Sequence, residues 1–186
     1  MKAVLPFVAL LGLAACSSPV LYAVDSPVPL DQRARIAFSS IEVVEVTLPR
    51  YAANPDIYRQ AADGGLKAIS GVSWADDPAP AMTADLVQVL TGMTGARIAA
   101  EPWPFRSYAQ VRLDVRVTTM VARDQGDFLL MGQYYVAGQE DGFRERARPF
   151  AIAIPLPQGF GAAEVATARG LAVSELARQI IAGGLS

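Results

Sequence analysis

"QVRLDVRVTT", residues Gln110–Thr119, is the stretch on which the fold turns. Val111, Leu113, Val115 and Val117 alternate with Gln110, Arg112, Asp114, Arg116 and Thr118. A side-chain period of two puts the apolar set on one face of a strand and the polar set on the other, so one face meets a core and the other meets water. "RDQGD" then turns into a second β stretch, Phe128 to Ala137, and "GQEDG" turns into a third, Phe143 to Ile154. Three strands joined by short polar links form an antiparallel meander.

Upstream of the meander, Leu21 to Val24, Arg33 to Phe38 and Ile41 to Leu48 read as β. In the last of these, Ile41 and Val43 share one face while Val44, Val46 and Leu48 share the other. That change of phase implies a bulge or a strand covered on both sides, and Pro49 ends it. Ile57 to Gln60 and Leu66 to Ile69 flank "AADGG", whose Asp-Gly predicts a hairpin turn. A helix begins near Asp77-Pro78. Its apolar face carries Met82, Leu86, Val89, Leu90 and Met93, and Gly92 and Gly95 mark its end. Arg97 to Ala100 is a further strand. A final helix, Ala162 to Ala182, buries Val165, Ala168, Ala172, Val173, Leu176 and Ile180 and ends at Gly183-Gly184. Trp74 lies between hairpin and first helix, where an indole covers the junction of sheet and helix. The expected architecture is α+β: a largely antiparallel or mixed sheet covered by two helices, in one domain spanning 21–186.

The head of the chain has a different character. Met1-Lys2 supplies one positive charge, and Ala3 to Ala15 then runs without any. The run is too short to span a membrane, which takes roughly 20 residues, but has the layout of a secretory signal. Leu13-Ala14-Ala15-Cys16 looks like a bacterial lipobox, with cleavage before the cysteine. A lone cysteine is most often a small buried hydrophobe. Its place directly behind such a leader makes Cys16 a lipid-attachment residue instead, carrying a diacylglycerol and an N-linked acyl chain such as palmitate. Residues 1–15 are then a cleaved leader and 16–20 a lipidated tether. Such chains contribute ~0.8 kcal/mol per buried methylene, and two or more anchor a protein stably.

Removing the leader leaves 171 residues with a net charge of about −3, which offers no basic footprint for nucleic acid. The chain has no histidine, and Lys67 is its only lysine beyond the leader. Zinc, copper and haem sites lean on His or Cys, so no metal is expected. Gly71-Val72-Ser73-Trp74-Ala75 comes near the nucleophile elbow of serine hydrolases, but no histidine base exists to complete a triad. Lys67 and Ser70 stand in the reverse of the S-x-x-K order. Gly159-Phe160-Gly161 lacks the third glycine of a dinucleotide fingerprint, and Asp76-Asp77 before Pro78 reads as a helix cap. No catalytic residue and no cofactor beyond the covalent lipid is expected, and the chain does not read as an enzyme.

Several pieces, in order, resemble the auxiliary lipoproteins of MCE-type ABC lipid transporters, the PqiC-like family. They are the lipobox, "LYAV", "IEVVEVTLPRYAANPDIY", "VSWADDP", the meander and the alanine-rich last helix. The matching motif residues are Leu48, Pro49, Tyr51 and Trp74. Ala52, Asn54 and Asp77-Pro78 depart from the pattern. The resemblance implies a periplasmic domain tethered to the outer membrane, with Ser17 after Cys16 as the sorting signal. Its implied partners are an MCE-domain periplasmic protein and its ABC transporter, with a homo-oligomer left open. A pilot-like assembly lipoprotein of another envelope complex is the alternative. Tyr51 and the stripe Arg144, Arg146 and Arg148 are the candidates for partner contact. Alternation puts the three arginines on one face, where Arg112 and Arg116 of the neighbouring polar face are expected to join them in a guanidinium cluster. The plainer alternative is a solvated sheet face balanced by Asp114.

Overall fold

The computed structural model describes residues 18–28, 33–139 and 145–186. In chain order they form β1 (Val20–Tyr22), β2 (Ser40–Val43), β3 (Asp56–Gln60), β4 (Leu66–Trp74), α1 (Pro78–Thr94), β5 (Arg97–Ala100), β6 (Val111–Arg123), β7 (Asp127–Gly138), β8 (Arg146–Pro155) and α2 (Ala162–Ile180). A turn of wider pitch, Ile181–Leu185, closes the chain.

The alternating segment becomes β6, the spine of the sheet. β7 pairs antiparallel with it from Val111↔Gly138 to Arg123↔Asp127, and β8 pairs antiparallel with β7. The other edge of β6 is divided between two partners. β2 runs parallel to it over Ile41↔Val111 to Val43↔Leu113, and β3 runs parallel to it at Arg59↔Ala122 and Gln60↔Arg123. β5 extends the β2 branch in parallel, while β4 (antiparallel to β3) and β1 (parallel to β4) extend the other. The result is a single α+β domain with a mixed eight-stranded sheet. The register slips between Val117 and Thr119, where Thr118 is the extra residue. The slip changes the phase of burial, so that Met120 and Ala122 join Val111, Leu113, Val115 and Val117 in the core.

Two expected strands are altered. Arg33 to Phe38 is not a strand: it runs across the helix side, where the Ala34 N–H donates to Met93 O (2.8 Å) and the Ala37 N–H to Leu185 O (2.8 Å). The stretch from Ile41 is a strand only as far as Val43. Beyond it the backbone stays beside β6 irregularly, through Val44 N–H to Leu113 O (2.8 Å) and Thr47 N–H to Val115 O (3.0 Å). This accounts for the change of phase, since Ile41, Val43 and Val46 all end in the core.

Both helices lie on one face of the sheet. α1 starts at the expected place, but the Asp77 side chain makes no capping bond, and Pro78 opens the helix instead. Its predicted stripe of Met82, Leu86, Val89, Leu90 and Met93 is buried as a set, and Gly95 closes it in the left-handed conformation. α2 starts at Gly161, whose N–H donates to Glu164 Oε2 (2.8 Å). The regular helix stops at Ile180, before the two glycines, which lie against the Tyr134 ring.

After β1, residues 23–28 lie against both helices as a strap. Ser174 Oγ donates to Pro27 O at 2.6 Å. A Cβ at Gly170 would stand 2.0 Å from the Asp25 carbonyl oxygen, and one at Gly92 would stand 2.3 Å from Val28 Cγ1. The two glycines are notches into which the strap fits.

Candidate functional site

Cys16 and Arg144 lie outside the described residues. Leu48 and Pro49 lead into a tight turn, in which Pro49 O accepts the N–H groups of Ala52 (2.8 Å) and Ala53 (3.0 Å). This turn holds Tyr51 edge-on to Tyr58 and lets its hydroxyl accept the Met120 N–H (3.1 Å), just past the bulge of β6. Tyr51 thus ties the loop to the spine of the sheet. Ser73, of the apparent elbow motif, sits inside β4 opposite Leu21 and Asp56, not on a strand-to-helix turn.

The expected arginine cluster does not form. Arg146 and Arg148 do share a face, but β8 pairs them with Val136 and Tyr134, residues of the core side. Arg112 and Arg116 project from the opposite side of the sheet. There Arg112 pairs with Glu101 and Arg116 pairs with Asp114 (2.6 Å) while stacking on Tyr135 (4.9 Å). Arg146 is spent on the chain itself, donating to the carbonyls of Gly184 and Ser186 (both 2.8 Å). Parity along a strand establishes which residues share a face; it does not say which face of the sheet that is.

The open side of β6, β7 and β8 carries a shallow groove of about 570 Å³. Met131, Tyr135, Pro149 and Ala151 supply much of its apolar floor, and Arg116 and Gln133 supply polar edges.

A second site lies between the strap, the end of β4 and the two helices. Trp74 closes β4 with only 6% of its surface exposed. Over its ring, 4.7 Å from the centroid, lies the guanidinium of Arg169 from the middle of α2. Arg169 is 2% exposed. Its Nη2 donates to Pro78 O (3.0 Å), while its Nε–H has no acceptor among the described residues. Burial lowers its pKa to about 10, with the charge of Asp85 opposing that shift. A cavity of about 160 Å³ separates these groups from the strap, with Tyr22, Trp74, Asp76, Asp85 and Arg169 in its wall.

Asp85 has its pKa raised above the ordinary 3.8, mainly by burial, with Arg169 pulling the other way and Asp25 and Asp76 adding to the rise. A raised folded-state pKa means that folding favours the protonated carboxyl. The stabilisation from that proton is therefore present below pH 3.8 and is lost as pH rises through the folded-state value. Asp85→Asn should accordingly raise the melting temperature at pH 7, and the gain should shrink to nothing below pH 3.8. Thermal melts of both proteins across this range check it. A lower melting temperature for the variant at pH 7 would mean that attraction to Arg169 outweighs burial.

The sequence reading did not single out Arg169, although the signal was present. Val165 and Val173, four residues to either side of it, both belong to the predicted buried stripe of α2. Helical geometry therefore places a guanidinium on the apolar face.

The sequence model of the family described as "ABC-type transport auxiliary lipoprotein component" matches residues 22–181. No curated protein matches the chain. Among solved structures, protein XCC0632 from Xanthomonas campestris, of family DUF330, superposes with a TM-score of 0.67 at 18% identity, over 88% of this chain and 93% of that one. A crystal structure described only as an uncharacterized protein superposes with a TM-score of 0.69, also at 18% identity, over 88% of this chain and 97% of the other. These likenesses establish a shared fold.

Proposed function

We propose, on the premise that this chain belongs to the ABC-type transport auxiliary lipoprotein family, that it docks an MCE-type lipid transport assembly at the periplasmic face of the outer membrane. Membership makes it an auxiliary component of an ABC-type transport system. The finer reading rests on the lipobox six residues before the matched region begins, with Cys16 as the anchor and Ser17 as the sorting residue. The protein contributes position and contact; hydrolysis of ATP and any other catalysis belong to its partners.

The surface assigned to the partner is the uncovered face of β6, β7 and β8, with its groove and exposed Met131. Of the residues singled out for contact, Arg148 is exposed but stands on the other face of β8, beside Tyr134, and Tyr51 and Arg146 have bonds to their own chain.

Cys16→Ser tests the anchor. The variant should accumulate as an uncleaved precursor, take up no labelled fatty acid and be absent from outer-membrane fractions. Wild-type protein extracted from membranes in mild detergent should bring MCE and ABC subunits with it, identified by mass spectrometry. A Cys16→Ser protein that is still labelled and still fractionates with the outer membrane would sink the anchoring reading. An extract containing neither kind of subunit would sink the docking reading.

A further inference from the structure

We propose that the cavity beside Arg169 binds a small zwitterion in which an anionic group is joined to a primary ammonium, the chemistry of an ethanolamine phosphate head group. The anionic end follows from Arg169. The residue is 2% exposed, its guanidinium lies over Trp74, and one nitrogen is satisfied by Pro78 O. Its Nε–H is buried without an acceptor among the described residues. Folded proteins seldom leave a donor unmet at such depth. The residue bearing it lines a space of about 160 Å³, far more than the ~10–15 Å³ one water requires. Phosphate and carboxylate oxygens are the acceptors that suit a guanidinium edge.

The cationic end follows from what surrounds Arg169. Asp76 and Asp85 line the same cavity, and Asp25 is near enough to act on Asp85. Two carboxylates in the wall against one guanidinium leave the cavity with a negative balance, which disfavours a simple anion. An ammonium a few bonds from the anionic group answers both charges at once. The space is small beside the ~300–1,000 Å³ of pockets that enclose whole drug-sized ligands, so it admits a head group and leaves acyl tails outside.

Location comes from the end of β1, and this part rests on Cys16 being the anchor. Tyr22 lines the cavity six residues after Cys16. Fully extended, those residues reach roughly 20 Å. The cavity therefore stays within a short distance of the leaflet that holds the lipid.

The test uses full-length mature lipoprotein, first in detergent micelles, by calorimetric titration with O-phosphoethanolamine, glycerol 3-phosphate and inorganic phosphate. O-phosphoethanolamine should bind at least tenfold more tightly than the other two. Arg169→Gln should abolish binding. Asp85→Asn, which keeps the buried guanidinium and the fold, should remove the tenfold preference. The protein is then placed in lipid nanodiscs. Phosphatidylethanolamine discs should block the soluble probe and phosphatidylglycerol discs should not, which assigns the site to a membrane lipid. Equal binding in both discs would still support the zwitterion site but assign it to a free solute. Absence of binding in detergent, phosphate binding as tightly as O-phosphoethanolamine, or an unchanged preference in Asp85→Asn would each overturn the proposal. Co-purification of transporter subunits by the wild type is scored separately, so the docking reading stands or falls independently.

Discussion

Trp74→Ala will destabilise the domain by about 3–5 kcal/mol, in line with truncation of other buried aromatics. For a chain of this size that corresponds to a fall of roughly 6–20 °C in melting temperature. The loss has two sources. The indole fills the junction where β4 ends and α1 begins, and its removal opens a cavity that backbone held by Tyr22 and Pro55 cannot readily close. The ring is also the surface on which the buried Arg169 guanidinium lies, so the variant strips a desolvated cation of its aromatic neighbour. Trp74→Phe keeps a ring beneath the guanidinium and should recover much of the loss. Calorimetry of the three proteins decides the matter, and a Trp74→Ala protein melting within 2 °C of wild type, roughly the shift of 1 kcal/mol or less, would mean that the indole is not part of the packing.

Gly170→Val will displace the strap. A Cβ at this position meets the Asp25 carbonyl oxygen at 2.0 Å, its carbon at 2.8 Å and Ser26 Cα at 3.3 Å, all backbone atoms that no rotamer change can move aside. Relief requires residues 25–28 to lift from α2, which breaks the Ser174–Pro27 hydrogen bond and pulls Val28 out of its notch on Gly92. Overpacking of this kind costs roughly 1–3 kcal/mol, and the better helix propensity of a residue other than glycine offsets less than ~1 of it. The distinguishing readout is local. Amide exchange and proteolytic cleavage at residues 23–28 should rise well beyond the change in global stability, while β6–β8 keep their protection. Unchanged protection of the strap would show that it does not depend on the notch.

The elements most legible in the sequence are those whose pattern is set by one neighbouring surface. The stripe of α1 repeats at helical spacing because a single face meets the sheet, and β6 alternates because only one of its faces is covered. The parallel pairings of β1 with β4, β2 with β5, and β3 with β6 are not legible in this way. Each joins strands far apart in the chain, and nothing local in either strand names its partner. The arginine stripe shows the same limit, since period two holds for Arg146 and Arg148 but the face is decided by pairing with β7. Arg169 was hidden for another reason. An arginine among alanines reads as solvated, although Val165, Val173 and Leu176 at helical spacing from it mark the buried side.

The divided edge of β6 dictates an order of assembly. β6, β7 and β8 are neighbours in sequence and can zip together through short loops. The β3–β4 hairpin is equally local and can form ahead of the rest. Neither branch can dock until residues 111–123 exist as a strand, because that strand alone offers the edge both require. The parallel pairings then close long loops, the slowest kind of contact to form. A chain made from its N-terminus therefore carries β2, with Ile41 and Val43 destined for zero exposure, through the synthesis of everything between Val43 and Val111 before its partner on the spine appears. Substitutions in β6 should slow folding, whereas those in β1 or the strap should chiefly hasten unfolding.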